Sequence, residues 1–281
     1  MIAVLGILIV FGAIIGGYLL EQGVLSVLFQ PAEFLIIFGA AIGSLLIGSS
    51  RFVLRQIARN IGGVFTSRHT TREDYIAVLA ALSKIFSKIR REGLAAVEGD
   101  IERPQQSPIF TAHPKMARDA ELVAFICDTF RVYLVSGDPH EIEHLMSLDI
   151  EVSHTQGMAP AMNISRLAEA LPGLGIVAAV LGVVLTMGKI TQPPEILGHS
   201  IGAALVGTFL GVLGCYGFVG PMAANLENQT REREMLFNVV KAAVSASVRG
   251  APPMIAVESG RRSVPSDYRP SFEELETAFR N

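Results

Sequence analysis

Hydrophobic positions along the chain fall into two patterns. In four stretches they run together with no charge among them: Ile2 to Leu20, Phe34 to Ser49, Leu171 to Gly188 and Ile201 to Val219. A helix rises about 1.5 Å per residue and needs about 20 apolar residues to cross a bilayer. The four runs therefore predict four transmembrane helices, of which the second is short. Elsewhere the apolar residues recur at helical spacing. Thr71, with Asp74 three residues on, reads as a helix start. Ile76, Leu79, Leu82, Ile85, Phe86 and Ile89 continue that helix, and Gly93 stops it. "LAAVEGDIERP" predicts a short second helix ended by Pro104. "PKMARDAELVAFICDTFRVYLVSG" predicts a third, closed by Gly137. A fourth starts at Asp138 with Pro139 in its first position and heads for the third span, with Gly157 and Pro160 as places for a bend. "PSFEELETAFRN" predicts a last helix capped by Ser271 and Glu274. No segment alternates convincingly with the period of a strand. The fold class expected is all-α, an integral membrane protein with four transmembrane helices and a helical cytoplasmic domain.

Composition adds segregation to this picture. Of 281 residues 50% are hydrophobic, yet 17% are charged, and the charges avoid the spans. Residues 1–49 then form transmembrane helices 1 and 2, 50–170 a cytoplasmic helical domain, 171–223 transmembrane helices 3 and 4, and 224–281 a cytoplasmic tail. Lys and Arg set the orientation. The connection "EQGVLSVLFQPAE" has none and "KITQPPEILGHS" has Lys189 alone, whereas Arg51, Arg55 and Arg59 follow the second span and Arg231 and Arg233 the fourth. The positive-inside rule puts both short connections outside and both termini in the cytoplasm. The N-terminal run lacks a basic leading segment and a small-residue cleavage site, so it reads as a retained span.

Candidate chemistry is sparse. No phosphate-binding loop, hydrolase elbow, zinc-protease motif or metal-ligand spacing is present, so no enzyme activity, metal or cofactor is expected. The net charge of −3 gives no hint of nucleic acid. Cys127 lies in a polar region and Cys215 in a span, which argues against a disulfide. Glycines recur four residues apart at Gly12/Gly16, Gly39/Gly43 and Gly207/Gly211, a spacing that lets helices approach closely. Pro172 and Pro221 lie at the cytoplasmic ends of the third and fourth spans, where a proline either ends a helix or serves as a hinge. Thr186, Thr208 and Tyr216 carry hydroxyls in the spans, and Thr often bonds back to its own helix. Arg90, Arg91, Glu92 and Glu98 cluster around Gly93, either as a solvated surface or as a contact. The spans hold no ionisable residue at central depth, with Glu33, Lys189 and His199 at their edges. An ion-coupled membrane protein ordinarily keeps such a residue inside. If ions are handled here, the titrating group has to come from another chain.

Five stretches, "PGLGIVAAVLGVV", "VGTFLGVLGCYGFVGPMA", "GLAAVEGDIERP", "APPMIAVESGRR" and "RPSFEELE", together resemble the MotA family of flagellar motor stator proteins, within the MotA/TolQ/ExbB proton channel superfamily. They touch both halves of the chain in the family's order. The resemblance implies a homopentamer embedded in the lipid of the cell inner membrane. Its third and fourth helices surround two helices of MotB, which supplies the proton-accepting aspartate and the peptidoglycan anchor. It implies coupling roles for Pro172 and Pro221, and Tyr216, as a hydroxyl in the fourth span, is a further candidate for the proton path. It implies that ion selectivity is read at Ala179 and Thr208, where sodium-driven members tend to carry threonine twice, so alanine favours protons. It implies contact of Arg90 and Glu98 with the rotor protein FliG. Two alternatives stay open: a ring protein of the ExbB/TolQ kind that energises outer-membrane processes, and a self-contained transporter.

Overall fold

The computed structural model describes residues 2–66 and 69–280 and is helical throughout, with no strand among those residues. In chain order the helices are α1 (Ile2–Leu20), α2 (Leu25–Leu28), α3 (Pro31–Gly48), α4 (Arg51–Thr66), α5 (Arg72–Glu92), α6 (Glu98–Glu102), α7 (Pro108–Thr111), α8 (Pro114–Ala117), α9 (Ala120–Ser136), α10 (Pro139–Met187), α11 (Pro194–Leu213), α12 (Gly220–Val248), α13 (Pro253–Ser263) and α14 (Phe272–Arg280). A 3-10 turn, Leu94–Val97, precedes α6, and a π turn, Gly214–Val219, joins α11 to α12.

The chain forms two compact units, each discontinuous in sequence: Met1–Arg68 with Gly157–Asn228, and His69–Gln156 with Gln229–Asn281. The first unit holds α1, α3, α4, α11 and the apolar part of α10. Its interior is small. One cluster joins Ile37 and Ala41 to Ala168, Leu171, Ala178 and Cys215. Another joins Ile57 and Val64 of α4 to Ala161, Ile164, Ala223 and Leu226. Most of its other large apolar side chains face outward, and α1 buries none of its residues. A helix that is apolar all round and left uncovered by its own chain suits lipid or other subunits, not water. Among the described residues, four helices are long and apolar enough to span a membrane.

The second unit has an ordinary aqueous core. Tyr75, Leu79, Leu82 and Phe86 of α5 pack with Ile126 and Phe130 of α9, Phe237 and Val240 of α12, and Val257 of α13. Gly260 lets α13 approach closely, because a methyl there would lie 2.8 Å from Leu79 Cδ2 and 2.9 Å from Ala243 Cβ. The helix ends follow the expected chemistry. Asp74 Oδ2 accepts the Thr71 N–H at 2.8 Å. Glu274 Oε2 accepts from Ser271 N–H at 2.6 Å, and Ser271 Oγ accepts from Glu274 N–H at 3.2 Å. Gly93 and Gly137 end α5 and α9 at φ 88° and 64°, backbone that favours glycine.

Several expectations need correcting. The third helix is not one element. α8 is a single turn, and Asp119 then restarts the chain as α9 by accepting the Leu122 N–H at 3.1 Å. "LAAVEGDIERP" is a 3-10 turn followed by the short α6. α11 begins at Pro194, seven residues before Ile201, because Pro194 suits a first helical position. α10 runs unbroken for 49 residues, with Pro160 and Pro172 inside it. α4, α13 and the extension of α12 to Val248 were not expected from the pattern.

Candidate functional site

The apolar part of α10 and α11 meet backbone to backbone. A methyl on Gly175 would lie 2.7 Å from Gly207 O and 3.1 Å from Gly211 Cα, and one on Gly211 would lie 2.5 Å from Leu171 O. Gly182 faces Ala204 in the same way, its methyl position 2.6 Å from Ala204 Cβ. Of the three glycine pairs singled out, Gly207/Gly211 thus brings two helices together. Gly12, Gly16 and Gly43 have nothing within 4 Å, and Gly39 meets only Leu35 of its own helix.

Ala179 and Thr208 lie on this seam. Ala179 N is 3.1 Å from the methyl position of Gly207, and Thr208 Cα is 3.3 Å from that of Gly175. Ala179 is buried and Thr208 half-buried. Thr186 donates to Gly182 O at 2.8 Å, so its hydroxyl is used within its own helix. Pro172 is next to Leu171, whose carbonyl abuts Gly211, at the other end of the seam. Neither proline ends a helix: Pro172 is interior to α10, and Pro221 is the second residue of α12, directly after the π turn. In that turn Gly220 N–H bonds to Cys215 O, five residues back. Tyr216 projects from it with 74% of its surface exposed, and Cys215 is buried with a free thiol.

One residue departs from expectation. The sequence puts Glu33 at the edge of the second span and leaves the interior free of acids. α3 in fact starts at Pro31, so Glu33 occupies its first turn, and only 9% of it is exposed. Its carboxyl lies over two glycines of the seam. Oε2 is 2.7 Å from the methyl position of Gly207, and Oε1 is 3.3 Å from that of Gly182. No donor among the described residues reaches Oε2. Pro31 was the signal in the sequence, since proline favours the first position of a helix.

In the second unit, Arg90, Arg91, Glu92 and Glu98 are exposed on either side of Gly93 and the 3-10 turn. Nearby charges are engaged within the unit: Lys88 Nζ bonds Asp100 Oδ2 at 2.7 Å, and Ser107 Oγ donates to Asp100 Oδ1 at 2.6 Å. Arg131 binds Glu102 and Asp128. Neither Arg90 nor Glu98 forms such an ion pair among the described residues.

Residues 4–93 match the motility protein A N-terminal family model, and residues 118–238 match that of the MotA/TolQ/ExbB proton channel family. Over 100% of this chain and 95% of the relative, it is 39% identical to motility protein A of Escherichia coli. It is 35% identical to chemotaxis protein LafT of Vibrio parahaemolyticus over 97% of this chain and 96% of that one. The fold matches solved C. jejuni MotAB with a TM-score of 0.80 at 21% identity, covering 96% of this chain and 98% of that one. It matches the flagellar MotAB stator complex from Bacillus subtilis with a TM-score of 0.77 at 23% identity and the same coverage. The chain belongs to the motility protein A family, within the MotA/TolQ/ExbB proton channel family.

Proposed function

We propose that this chain is a stator subunit of the bacterial flagellar motor, which with MotB turns proton-motive force into torque on the rotor. The observation that carries the reading is the seam itself: two apolar helices in backbone contact, with Ala179 and Thr208 on it and Tyr216 exposed on the π turn that follows α11. Small side chains on such a wall leave room for helices of another chain, which would bring the proton-accepting aspartate. The match of residues 4–93 to the N-terminal model of motility protein A favours this reading over an ExbB-like or TolQ-like energiser.

In this reading four helices cross the inner membrane, with the termini and the second unit cytoplasmic, as Arg51, Arg55 and Arg59 favour. Five copies encircle the partner. A proton moving inward gains roughly 2.3 kcal/mol per 100 mV. Neutralising the partner's acid shifts the wall, and Pro172 and Pro221 pass that shift to the cytoplasmic helices. Arg90 and Glu98 then engage FliG. Ala179 favours protons over sodium.

The test is complementation. Cells lacking their own stator should regain swimming when this chain is supplied with its MotB. Swimming should persist without sodium and stop with a proton uncoupler. A requirement for sodium at constant membrane potential would overturn the choice of ion, and swimming that is not restored would overturn the reading itself.

A further inference from the structure

The carboxyl of Glu33 has no evident structural reason to be where it is. Its surroundings are Ala178, Ile37 and Ala204, exposed at 0%, 0% and 2%. Within the first unit, the other titratable or charged groups on the elements around it are Arg166 and Glu169 of α10, Lys189 just beyond it, Glu195 and His199 of α11, Cys215 and Tyr216 of the π turn, and Glu227 of α12. None of them donates to Oε2. An unpaired carboxylate taken out of water costs far more than the dipole of a helix's first turn returns. A neutral carboxyl with one unmet bond loses only a single hydrogen bond. The site therefore favours a carboxyl that holds a proton.

The glycines give the site its shape. Side chains at 182 and 207 would occupy the space the two oxygens use. Gly207 adjoins Thr208 in sequence, and Ala179 N borders the same spot. The carboxyl therefore sits directly behind the wall on which Ala179 and Thr208 stand.

We propose that Glu33 is a proton-binding site belonging to this chain, loaded from the outer side of the membrane and lying behind the Ala179–Thr208 wall. Each subunit then carries an acid of its own besides the one the partner brings. A proton from outside water converts the carboxylate to the acid, and its release toward the partner restores the carboxylate. The direction of loading rests on the topology proposed above, whereas the binding of a proton does not.

The experiment uses the complex with MotB whose membrane aspartate is changed to asparagine. Infrared spectra in ordinary and heavy water should show an exchange-sensitive protonated-carboxyl band that Glu33→Gln removes. Identical spectra for the two proteins overturn the proposal. If Glu33→Gln does not assemble, Glu33→Asp takes its place: it should keep the band at a shifted frequency, and an unshifted band overturns the assignment. Proton flux is then measured in proteoliposomes with unaltered MotB. Glu33→Gln should lower flux by about a hundredfold or more when outside protons are scarce, the usual contribution of a positioned acid, with Glu33→Asp restoring part of it. Wild-type flux from Glu33→Gln at every outside pH overturns the proposal. Loss of the stator reading would show separately, as failure of the unaltered pair to restore swimming.

Discussion

At the scale of single residues the two units respond to substitution in different ways. Gly211→Ala would push a methyl to 2.5 Å from a backbone carbonyl, so the α10–α11 contact must open. Overpacking of this kind costs about 1–3 kcal/mol. The purified complex should melt at a lower temperature, whereas Gly12→Ala, with open space around it, should leave the melting temperature unchanged. At the half-buried Glu258 of the second unit, hydrogen bonds from Arg261 and then Arg262 hold the carboxyl at about 2, below its ordinary 4.5. That stabilisation is complete above about pH 4.5 and is lost as pH falls toward about 2. Glu258→Gln should therefore lower the unfolding temperature near neutral pH and flatten its fall in acid, as followed by circular dichroism. Arg90 and Glu98 are exposed, and exposed charges contribute about 0–1 kcal/mol. Reversing either should weaken torque, measured on tethered cells, at normal levels of assembled complex. The resemblance singles out Ala179 and Thr208 in the sequence as selectivity positions, and both lie on the seam. Glu33 was not, because hydropathy alone starts its span at Phe34, one residue too late.

At the scale of elements the prolines are the informative positions. Each lies within continuous helix, so each leaves one backbone carbonyl without its usual partner. Alanine restores the missing N–H without adding bulk. Pro172→Ala or Pro221→Ala should preserve expression and binding to MotB while rotation slows strongly or stops. Normal swimming at wild-type protein levels would remove that proline from the coupling. Helices with a cap and a stop were readable directly: α5 between Thr71 and Gly93, and α14 behind Ser271. α9 was run together with α8 because Asp119 looks like any charged residue until its carboxylate is seen to take the Leu122 N–H and to pair with Arg233. α4 does not stand out in the sequence, where its arginines speak only to orientation, while Ile57 and Val64 make it a packed element.

At the scale of the whole molecule the proposed division of labour has a measurable consequence. The wall of the first unit is built from Gly, Ala and Thr, and the one acid buried among its described residues lies behind that wall. Proteoliposomes containing this chain alone should pass protons no faster than empty ones, and flux should appear when MotB is added. Comparable flux without MotB would mean that the chain is a self-contained conductor.

The π turn at Gly214–Val219 also sets a phase. Successive residues of an α-helix are about 100° apart, and the wide turn accommodates one residue more than an α-helical path between the same ends. Thr208 on one side and Pro221 on the other therefore face in directions that differ, by about that angle, from those of an uninterrupted α-helix of the same sequence. A relative lacking the extra residue would align with a single gap here, and both flanking helices would keep their own faces. The interval from 214 to 219 is where this span can gain or lose a residue in evolution without turning its wall away from what the wall surrounds.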